Sequence, residues 1–192
     1  VDADPVALAH LRALAAGDGI AVAAGDPADP AGVLAAPELA GVIDLGQPCG
    51  VLLAGILSSV DAETARSAVA GYADALVPGS AVAICCVSYR DQQAGDEAAA
   101  AYKTVAGGTF YSHSRAAIEG FFKEAGLHLA QCGGSDVRAW WGPVSRTERP
   151  VSVLGGVGIV PLPSRRRMRP ASRCWTGGRL RSPLPGWLCP IS

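Results

Sequence analysis

The sequence lacks several residue patterns that mark common functional sites. It has only three histidines, one methionine and 6% aromatic residues. Its six cysteines include no CxxC pair and no spacing typical of metal ligands, so we predict no metal site. Its longest apolar runs, such as CGVLLAGIL, are much shorter than the roughly 20 residues that span a bilayer, so we predict no membrane-spanning segment. No basic n-region is found near Val1, so we expect no signal peptide, a cytoplasmic location and reduced thiols.

Charge is scarce and unevenly distributed. Charged residues make up 17% of the 192 residues, and the formal net charge is -1. Seven of the 16 basic residues are arginines within 161–192, and none of the 17 acidic residues lies there, so the rest of the chain has nine basic against 17 acidic groups. The basic tail has little aromatic interleaving, which favours a solvated tail over a nucleic-acid partner. The 49% hydrophobic content is enough for one domain with a packed core.

Strand-like apolar runs alternate with helix-like segments along the chain. Asp4-Pro5 and Asp29-Pro30 begin two of the helices, because aspartate suits the N-cap and proline the first turn. We predict helices over 5–16, within 26–42, and over 61–77, 91–105 and 115–125, and strands over 19–26, 49–60, 80–89, 127–132 and 151–160. Residues 135–150 are predicted to form a long loop, in which Trp140 and Trp141 either line a ligand pocket or cover the core.

This alternation predicts an α/β fold with a doubly wound, mostly parallel sheet. The strand over 49–60 is a continuous apolar run, which is typical of a central strand covered on both faces. The last two strands have no helix between them, so we expect them to pair antiparallel and to place one reversed strand at a sheet edge. The glycines of LGGVGIV are attributed to a close backbone approach or a bulge rather than to phosphate binding.

Acidic and small residues stand at three predicted strand ends, where doubly wound sheets bind their ligands. A strand-end carboxylate can accept both hydroxyls of a ribose, and a second one can accept from the amine of an adenine. The residues at the three ends are Asp2 and Asp4, then Asp26, then Leu57, Ser58 and Ser59.

Each of these residues also has a purely structural interpretation. Asp4 can cap the helix that follows it, and Asp26 can begin the DPAD turn. The two serines can simply leave the strand. His113 lies beside a helix start and is interpreted either as a surface histidine or as a residue that faces the site.

Several segments, taken in order, resemble a known family. VDADPVALAHLRALAA, AGDPADPAGVLAAPEL, PCGVLLAGILSSV and ALVPGSAVAICCVS are similar to the S-adenosylmethionine-dependent methyltransferase family common in actinobacteria, long catalogued as a domain of unknown function. SHSRAAIEGFF and VSVLGGVGIVP resemble the end of that family, so the similarity runs from Val1 to about Pro161. The resemblance implies a Rossmann-like class I methyltransferase sheet, S-adenosylmethionine as cofactor and a small-molecule methyl acceptor.

The resemblance also implies roles for individual residues. Asp2 would hold the ribose hydroxyls, and Asp26 would contact the adenine, helped by Gly25 and Pro27. Asp4, Leu57 and Ser58 complete the implied set of cofactor-binding residues. Ser58 and Ser59 stand where the family usually has a histidine and an aromatic residue, so no catalytic residue is assigned.

The sequence departs from the family at both ends. The glycine-rich loop after the family's first strand has no counterpart, so residues 1–161 are predicted to be a partial domain that lacks its central first strand. Residues 162–192 match nothing in the family and are predicted to be a disordered Arg/Pro-rich tail. A second chain could supply the missing strand, so a dimer stays open.

Two other functions also stay open. Without the loop, the chain is interpreted alternatively as a non-catalytic remnant or a protein-interaction module. A strand-end acid also marks the ribose site of nicotinamide-dependent oxidoreductases, although AGDPADP fits that class less well.

Overall fold

The structure is a computed structural model that describes residues 1–15, 17, 19–130, 135–138 and 151–163. The helices within these residues are α1 (Pro5–Leu14), α2 (Pro30–Leu34), α3 (Ala62–Ala75), α4 (Gln92–Ala106) and α5 (Arg115–Glu124). The strands are β1 (Gly50–Ala54), β2 (Ala81–Tyr89), β3 (His128–Leu129), β4 (Ser135–Asp136) and β5 (Val151–Ile159), and a 3₁₀ turn spans Ile56–Ser59.

The strands form one mixed sheet in the order β1-β2-β5-β3, and β4 also pairs with β5. β1 is parallel to β2, whereas β5 is antiparallel to β2 over its whole length. Since β3 is antiparallel to β5 as well, β1, β2 and β3 run in one direction. The predicted mixed α/β sheet with one reversed strand is confirmed, but the predicted edge position of that strand is wrong. β5 is long and apolar and pairs on both sides, and the two-residue β3 takes the edge.

Aspartate and serine side chains begin the helices as the sequence indicates. Asp4 caps α1 by accepting a hydrogen bond from the Val6 amide at 2.8 Å. Asp61 does the same for α3 by accepting from the Thr64 amide at 2.9 Å, and the hydrogen bonds from Thr64 hold the pKa of Asp61 below its ordinary value. The remaining caps are Asp29 of α2, Asp91 of α4 and Ser114 of α5.

Helices α3 and α5 pack together on one face of the sheet and form the core with it. Val82, Ile84 and Cys86 project from β2 into this core and are essentially inaccessible to solvent. Burial, followed by the neighbouring Cys85, raises the pKa of the Cys86 thiol to about 12, so this thiol stays protonated at neutral pH. The core therefore holds one side of the sheet rigid.

The opposite face of β1 is less covered than the sequence predicts. The strand ends at Ala54, where Gly55 turns the chain with a φ of 75°. Leu52 on this strand is 68% exposed. The prediction of a strand over 49–60 covered on both faces is therefore wrong in length and in burial.

The glycines of β5 lie where other groups approach the backbone closely. A Cβ at Gly155 would come 2.5 Å from the carbonyl oxygen of Ile84, and one at Gly158 would come 2.7 Å from Cδ1 of Phe122. Real Cβ atoms do not tolerate such distances, because the interior is close-packed. The interpretation of LGGVGIV as a close-approach strand is confirmed.

Residues 19–26 do not form the predicted strand. They make a single parallel bridge, between Asp2 and Ala24, with hydrogen bonds from the Gly25 amide to Asp2 O at 3.0 Å and from the Asp2 amide to Ala23 O at 3.4 Å. A ladder needs a neighbouring strand on which to propagate. Among the described residues the bridge stands apart from the main sheet, so the pairing stops after one step.

Some predictions fall outside the described residues. They concern Trp140, Trp141, Cys132, Cys174, Cys189 and the tail from Ser164 onward. The described cysteines, Cys49, Cys85 and Cys86, are free thiols.

Candidate functional site

The bridge between Asp2 and Ala24 brings the first two predicted strand ends together. Because the pairing of Asp2 with Ala24 is parallel, the two segments run in the same direction. Asp26 lies two residues past Ala24, so Asp2 and Asp26 emerge at the same end of the bridge. One oxygen of Asp2 accepts the Asp4 amide at 2.9 Å, and one oxygen of Asp26 accepts the Ala28 amide at 2.8 Å. No described residue donates to the second oxygen of either carboxylate, so both can accept from a ligand.

Gly25 lies between these acids where the backbone is crowded. A Cβ on Gly25 would come 3.3 Å from Val33 and 3.4 Å from Val1, so a side chain there would push the two segments apart. Glycine at this position therefore keeps Asp2 and Asp26 on adjacent strands.

Tyr72 of α3 anchors the turn that follows Asp26. Its hydroxyl donates to the carbonyl oxygen of Pro27 at 3.1 Å, across 45 residues of sequence. Burial raises the pKa of Tyr72, and the negative charges of Asp26 and Asp29 raise it further, so the hydroxyl stays a donor at neutral pH. Tyr72 thus ties the position of the turn to the core helix.

The third predicted strand end is the 3₁₀ turn after β1. Leu57 is fully buried and Ser58 is 6% exposed, and the buried hydroxyl of Ser58 has no hydrogen-bond partner among the described residues. The Ser59 hydroxyl donates to Ile56 O at 2.7 Å, as a strand-exit turn residue does.

The side chain of His113 forms a hydrogen bond to this turn. Its Nε2 lies 2.7 Å from the carbonyl oxygen of Leu57, so that nitrogen carries the proton and donates. The ring is 3% exposed and meets Phe121 edge-on at a centroid distance of 5.4 Å. The interpretation of His113 as a surface histidine is therefore wrong.

A cavity of about 190 Å³ separates the amino-terminal bridge from β1. It joins Val1 and Pro27 on one side to Leu53 and Ile56 on the other, with Tyr72 at its base. Neighbours of the three predicted strand ends therefore line this space, whereas Asp2, Asp26 and Ser58 do not line it themselves.

Comparison with known sequences decides the family. The family described as S-adenosyl methyltransferase matches residues 1–161. The chain belongs to this family. The resemblance noted from the sequence segments is thereby confirmed, and with it the assignment of S-adenosylmethionine as the family's cofactor. No curated protein is significantly similar in sequence.

Solved structures agree with the family assignment. A candidate methyltransferase from Thermobifida fusca is 28% identical, with a TM-score of 0.71 over 84% of this chain and 62% of that one. A DUF574 family protein from Streptomyces avermitilis is 25% identical, with a TM-score of 0.68 over 83% and 63% of the two chains. The chain thus spans about three fifths of the length of these two structures.

A more distant structure shares the fold alone. A SAM-dependent methyltransferase from Methanosarcina mazei is 9% identical, with a TM-score of 0.52 over 84% of this chain and 81% of that one. Together with the first two structures, it identifies the sheet as the Rossmann-like sheet of class I methyltransferases, as predicted.

The cofactor fits part of the site that this methyltransferase-family chain presents. The free carboxylate oxygens of Asp2 and Asp26 match the donors of a ribose and an adenine amine. The cavity of about 190 Å³ is smaller than the roughly 300 Å³ at which pockets for drug-sized ligands begin. The described residues therefore offer carboxylates whose chemistry suits the adenosine end of the cofactor, and the cavity offers only part of the volume that the cofactor needs.

The predicted cofactor residues differ in how they can contribute. Asp2, Gly25, Asp26 and Pro27 lie together, whereas Asp4 is engaged as the cap of α1. The side chain of Leu57 belongs to the core, and its carbonyl is bonded to His113. Cofactor contacts by all seven residues, Ser58 included, stay predictions.

The sequence analysis did not identify Tyr72, and it did not predict the buried hydrogen bond of His113. Tyr72 stands in an alanine-rich helix, and its only signal was that it is the single aromatic residue on that helix. For His113, nothing local showed that its partner would be a backbone carbonyl 56 residues away. Tertiary contacts of this range leave no periodic pattern.

Neither a metal site nor a membrane-spanning helix is found among the described residues. In those residues, no group of three His, Cys, Asp or Glu side chains is arranged to hold a metal ion. Nor does any helix in the same part of the chain have the length and apolarity needed to cross a membrane.

Proposed function

We propose that this chain is the cofactor-binding body of an S-adenosylmethionine-dependent methyltransferase that acts on a small molecule. The observation that carries the proposal is the parallel bridge that sets Asp2 and Asp26 side by side in a chain of this family. Two carboxylates on adjacent strand ends suit an adenosine, because its ribose hydroxyls and its exocyclic amine all donate hydrogen bonds.

Each residue of the bridge has a defined part in this proposal. Asp2 accepts the ribose hydroxyls through the carboxylate oxygen that is not bonded to Asp4. Asp26 accepts from the adenine amine, and the Pro27 carbonyl, fixed by Tyr72, sets the angle of the turn. Gly25 keeps the bridge close to Val1 and Val33, since a side chain there would displace them. Ser58 offers a hydroxyl whose hydrogen-bonding capacity is unused within the described residues.

The chemistry asks little more of the protein than alignment. When bound, S-adenosylmethionine supplies an electrophilic methyl group on a positively charged sulfur. Transfer is accelerated mainly by holding the acceptor atom, the methyl carbon and the sulfur in line. A general base is needed only for acceptors that must lose a proton, and no residue is assigned that role at this site.

The test is calorimetric titration of S-adenosylmethionine into the purified chain and three variants. Asp2→Asn and Asp26→Asn keep the oxygen that accepts the nearby amide but replace the free oxygen with a donor. We expect each to weaken binding by roughly tenfold to a hundredfold, because a hydrogen bond to a charged group contributes about 1.5–3 kcal/mol.

Asp44→Asn is the matched control. Asp44 accepts the amide two residues ahead at 2.9 Å, as Asp2 and Asp26 do, but it lies in a turn that precedes β1. We expect this variant to bind the cofactor like the original chain. Equal losses in all three variants, or no binding by a cooperatively folded chain, would contradict the proposal.

A parallel titration with NAD separates the methyltransferase from the oxidoreductase alternative. Saturable binding of NAD, without binding of S-adenosylmethionine, would favour a nicotinamide-dependent enzyme. Absence of both would favour the non-catalytic remnant. The small-molecule acceptor, the cytoplasmic location, the lack of a nucleic-acid partner and the possible dimer stay predictions.

A further inference from the structure

A second cavity, of about 460 Å³, lies beside helix α4. One wall is helix α4 and the other is the segment Gly108–His113 that returns along it. The two cavities share no lining residue. Its volume is within the range of about 300–1,000 Å³ typical of small-molecule sites.

Hydrogen bonds attach this cavity to the carboxyl ends of β1 and β2. The Tyr111 amide donates to Ser58 O at 2.7 Å, in the turn after β1. The Ser112 hydroxyl accepts from the Tyr89 amide at 3.0 Å, at the last residue of β2. The segment 108–113 is therefore fixed at the sheet edge where this type of fold binds its ligands.

Close packing fixes the wall of the cavity that the segment 108–113 forms. Gly95 of α4 lies so near Ser112 that a Cβ would come 3.1 Å from the serine Cβ. The ring of Phe110 meets that of Tyr89 edge-on, with 6.2 Å between the ring centroids. It also contacts the ring of Tyr102, with 6.0 Å between the centroids. These contacts hold the aromatic wall in place without a ligand.

The facing side of α4 carries charges of opposite sign. Asp96 and Lys103 both line the cavity, seven residues and hence about 10 Å apart along the helix axis. One oxygen of Asp96 accepts from the Gln92 side chain at 2.9 Å, which orients the carboxylate. Ala99 lies between the two charges and presents only a methyl group to the cavity. The cavity thus offers an acceptor at one end, a cation at the other and aromatic rings along its side.

We propose that this cavity binds a planar aromatic carboxylic acid that carries a hydroxyl group. The hydroxyl donates to Asp96, near the strand ends, the ring lies along Phe110 and Tyr111, and the carboxylate pairs with Lys103. Such a ligand would be the methyl acceptor, and that part of the inference rests on the proposed function. Its hydroxyl oxygen would bond to the methyl carbon as the bond from that carbon to the cofactor's sulfur breaks, the proton would pass to Asp96, and S-adenosylhomocysteine would leave. Binding itself does not require the cofactor.

The probe is p-coumarate, a rigid molecule with a phenol at one end and a carboxylate at the other. Its neutral analogue p-coumaryl alcohol and the cation tyramine complete the series. Binding is followed by amide chemical shifts of Gly95 and Gly108, which line the cavity, in the full chain without cofactor. We expect p-coumarate to bind about threefold to fivefold more tightly than either analogue, the effect of one exposed ion pair.

Lys103→Gln should abolish this preference for the anion. The control is Lys123→Gln, because Lys123 also lies in the last turn of a helix but does not line the cavity. Ala99→Leu should fill the space and weaken all three probes at least tenfold. Ala101→Leu is its control, since Ala101 lies on the same helix and faces away from the cavity. Circular dichroism verifies that each variant is folded.

The inference is overturned if Lys103→Gln or Ala99→Leu leaves the binding of p-coumarate unchanged. It is also overturned if the amide signals of Gly95 and Gly108 do not shift in the folded chain. A calorimetric titration with S-adenosylmethionine runs in parallel. Cofactor binding without p-coumarate binding refutes the aromatic-acid site alone. Binding of p-coumarate without the cofactor supports the site and refutes the proposed function.

Discussion

Tyr72 shows how one side chain connects the core to the candidate cofactor site. Its ring is packed in the cluster of α3 and β1, while its hydroxyl reaches Pro27 at the surface turn. Within the turn, the Asp26 side chain bonds to the Ala28 amide, and helix α2, which follows the turn, buries Val33 in the same core. The Tyr72 hydroxyl is thus a direct hydrogen bond from the core helix to the turn that carries Asp26.

Tyr72→Phe removes the hydrogen bond and leaves the ring in place. We expect the free energy of unfolding to fall by about 1 kcal/mol and the affinity for S-adenosylmethionine to fall severalfold. Because the pKa of Tyr72 is raised by folding, its stabilising effect is complete below the ordinary pKa of tyrosine and is lost as the pH rises through the higher folded value. Urea unfolding at neutral pH and above pH ~10 measures both effects.

Tyr102→Phe is the control for this prediction, since Tyr102 is an exposed tyrosine of α4 remote from the turn. It should leave both cofactor binding and the alkaline stability profile unchanged. An equal effect of the two substitutions would show that the Tyr72 hydroxyl does not position the turn.

At the scale of elements, the sequence predicted the helices better than the strands. Helix starts are local events, and Asp4 and Asp29 cap the two helices whose starts their Asp-Pro pairs predicted. Strands need partners, which the sequence does not show. Residues 19–26 have a strand-like composition but pair only at Ala24, and the reversed strand β5 took an interior place because β2 and the short strand β3 pair with its two sides.

The candidate cofactor site was likewise predictable only where it follows a local sequence pattern. Asp2 and Asp26 were identified because strand-end acids follow a local pattern, and the bridge brings them together. The aromatic cavity beside α4 was not predicted. It depends on Gly95 packing against Ser112 and on the Tyr111 amide reaching Ser58, which are contacts between segments far apart in sequence.

Strand β5 provides a prediction at this scale. Gly158→Ala would place a methyl group against Phe122 and Leu127, which are both buried. We expect a loss of about 1–3 kcal/mol in the free energy of unfolding, because overpacked cores must displace their neighbours. Chemical denaturation measures the loss.

Gly120→Ala is the matched control, because it makes the same chemical change in helix α5, where a Cβ would meet nothing nearer than 3.5 Å. Alanine is favoured over glycine in a helix by up to about 1 kcal/mol, so this variant should be as stable as the original or more so. Two losses of similar size would indicate that β5 does not approach α5 as closely as described.

The whole molecule has a rigid and a weakly attached part. The sheet packs against α3 and α5 through one continuous core, whereas α1 contributes only Leu8 to the buried residues. Leu14 of the same helix is 81% exposed, and Val6 and Leu11 are exposed as well. The amino-terminal bridge with its two candidate cofactor ligands therefore adjoins a helix that adds little to the described core.

Hydrogen exchange should reveal this division. Amides of β2, which is paired on both sides and buried at Val82, Ile84 and Cys86, should exchange only through global unfolding. Amides of α1 should exchange much faster, because opening that helix exposes little buried surface. Saturating S-adenosylmethionine should slow exchange at α1 and at Gly25 by at least tenfold while leaving β2 nearly unchanged, since a ligand protects most where its contacts order a loosely held segment. Protection of α1 equal to that of β2 before the cofactor is added would contradict the division, and slower exchange confined to β2 on its addition would place the cofactor away from Asp2 and Asp26.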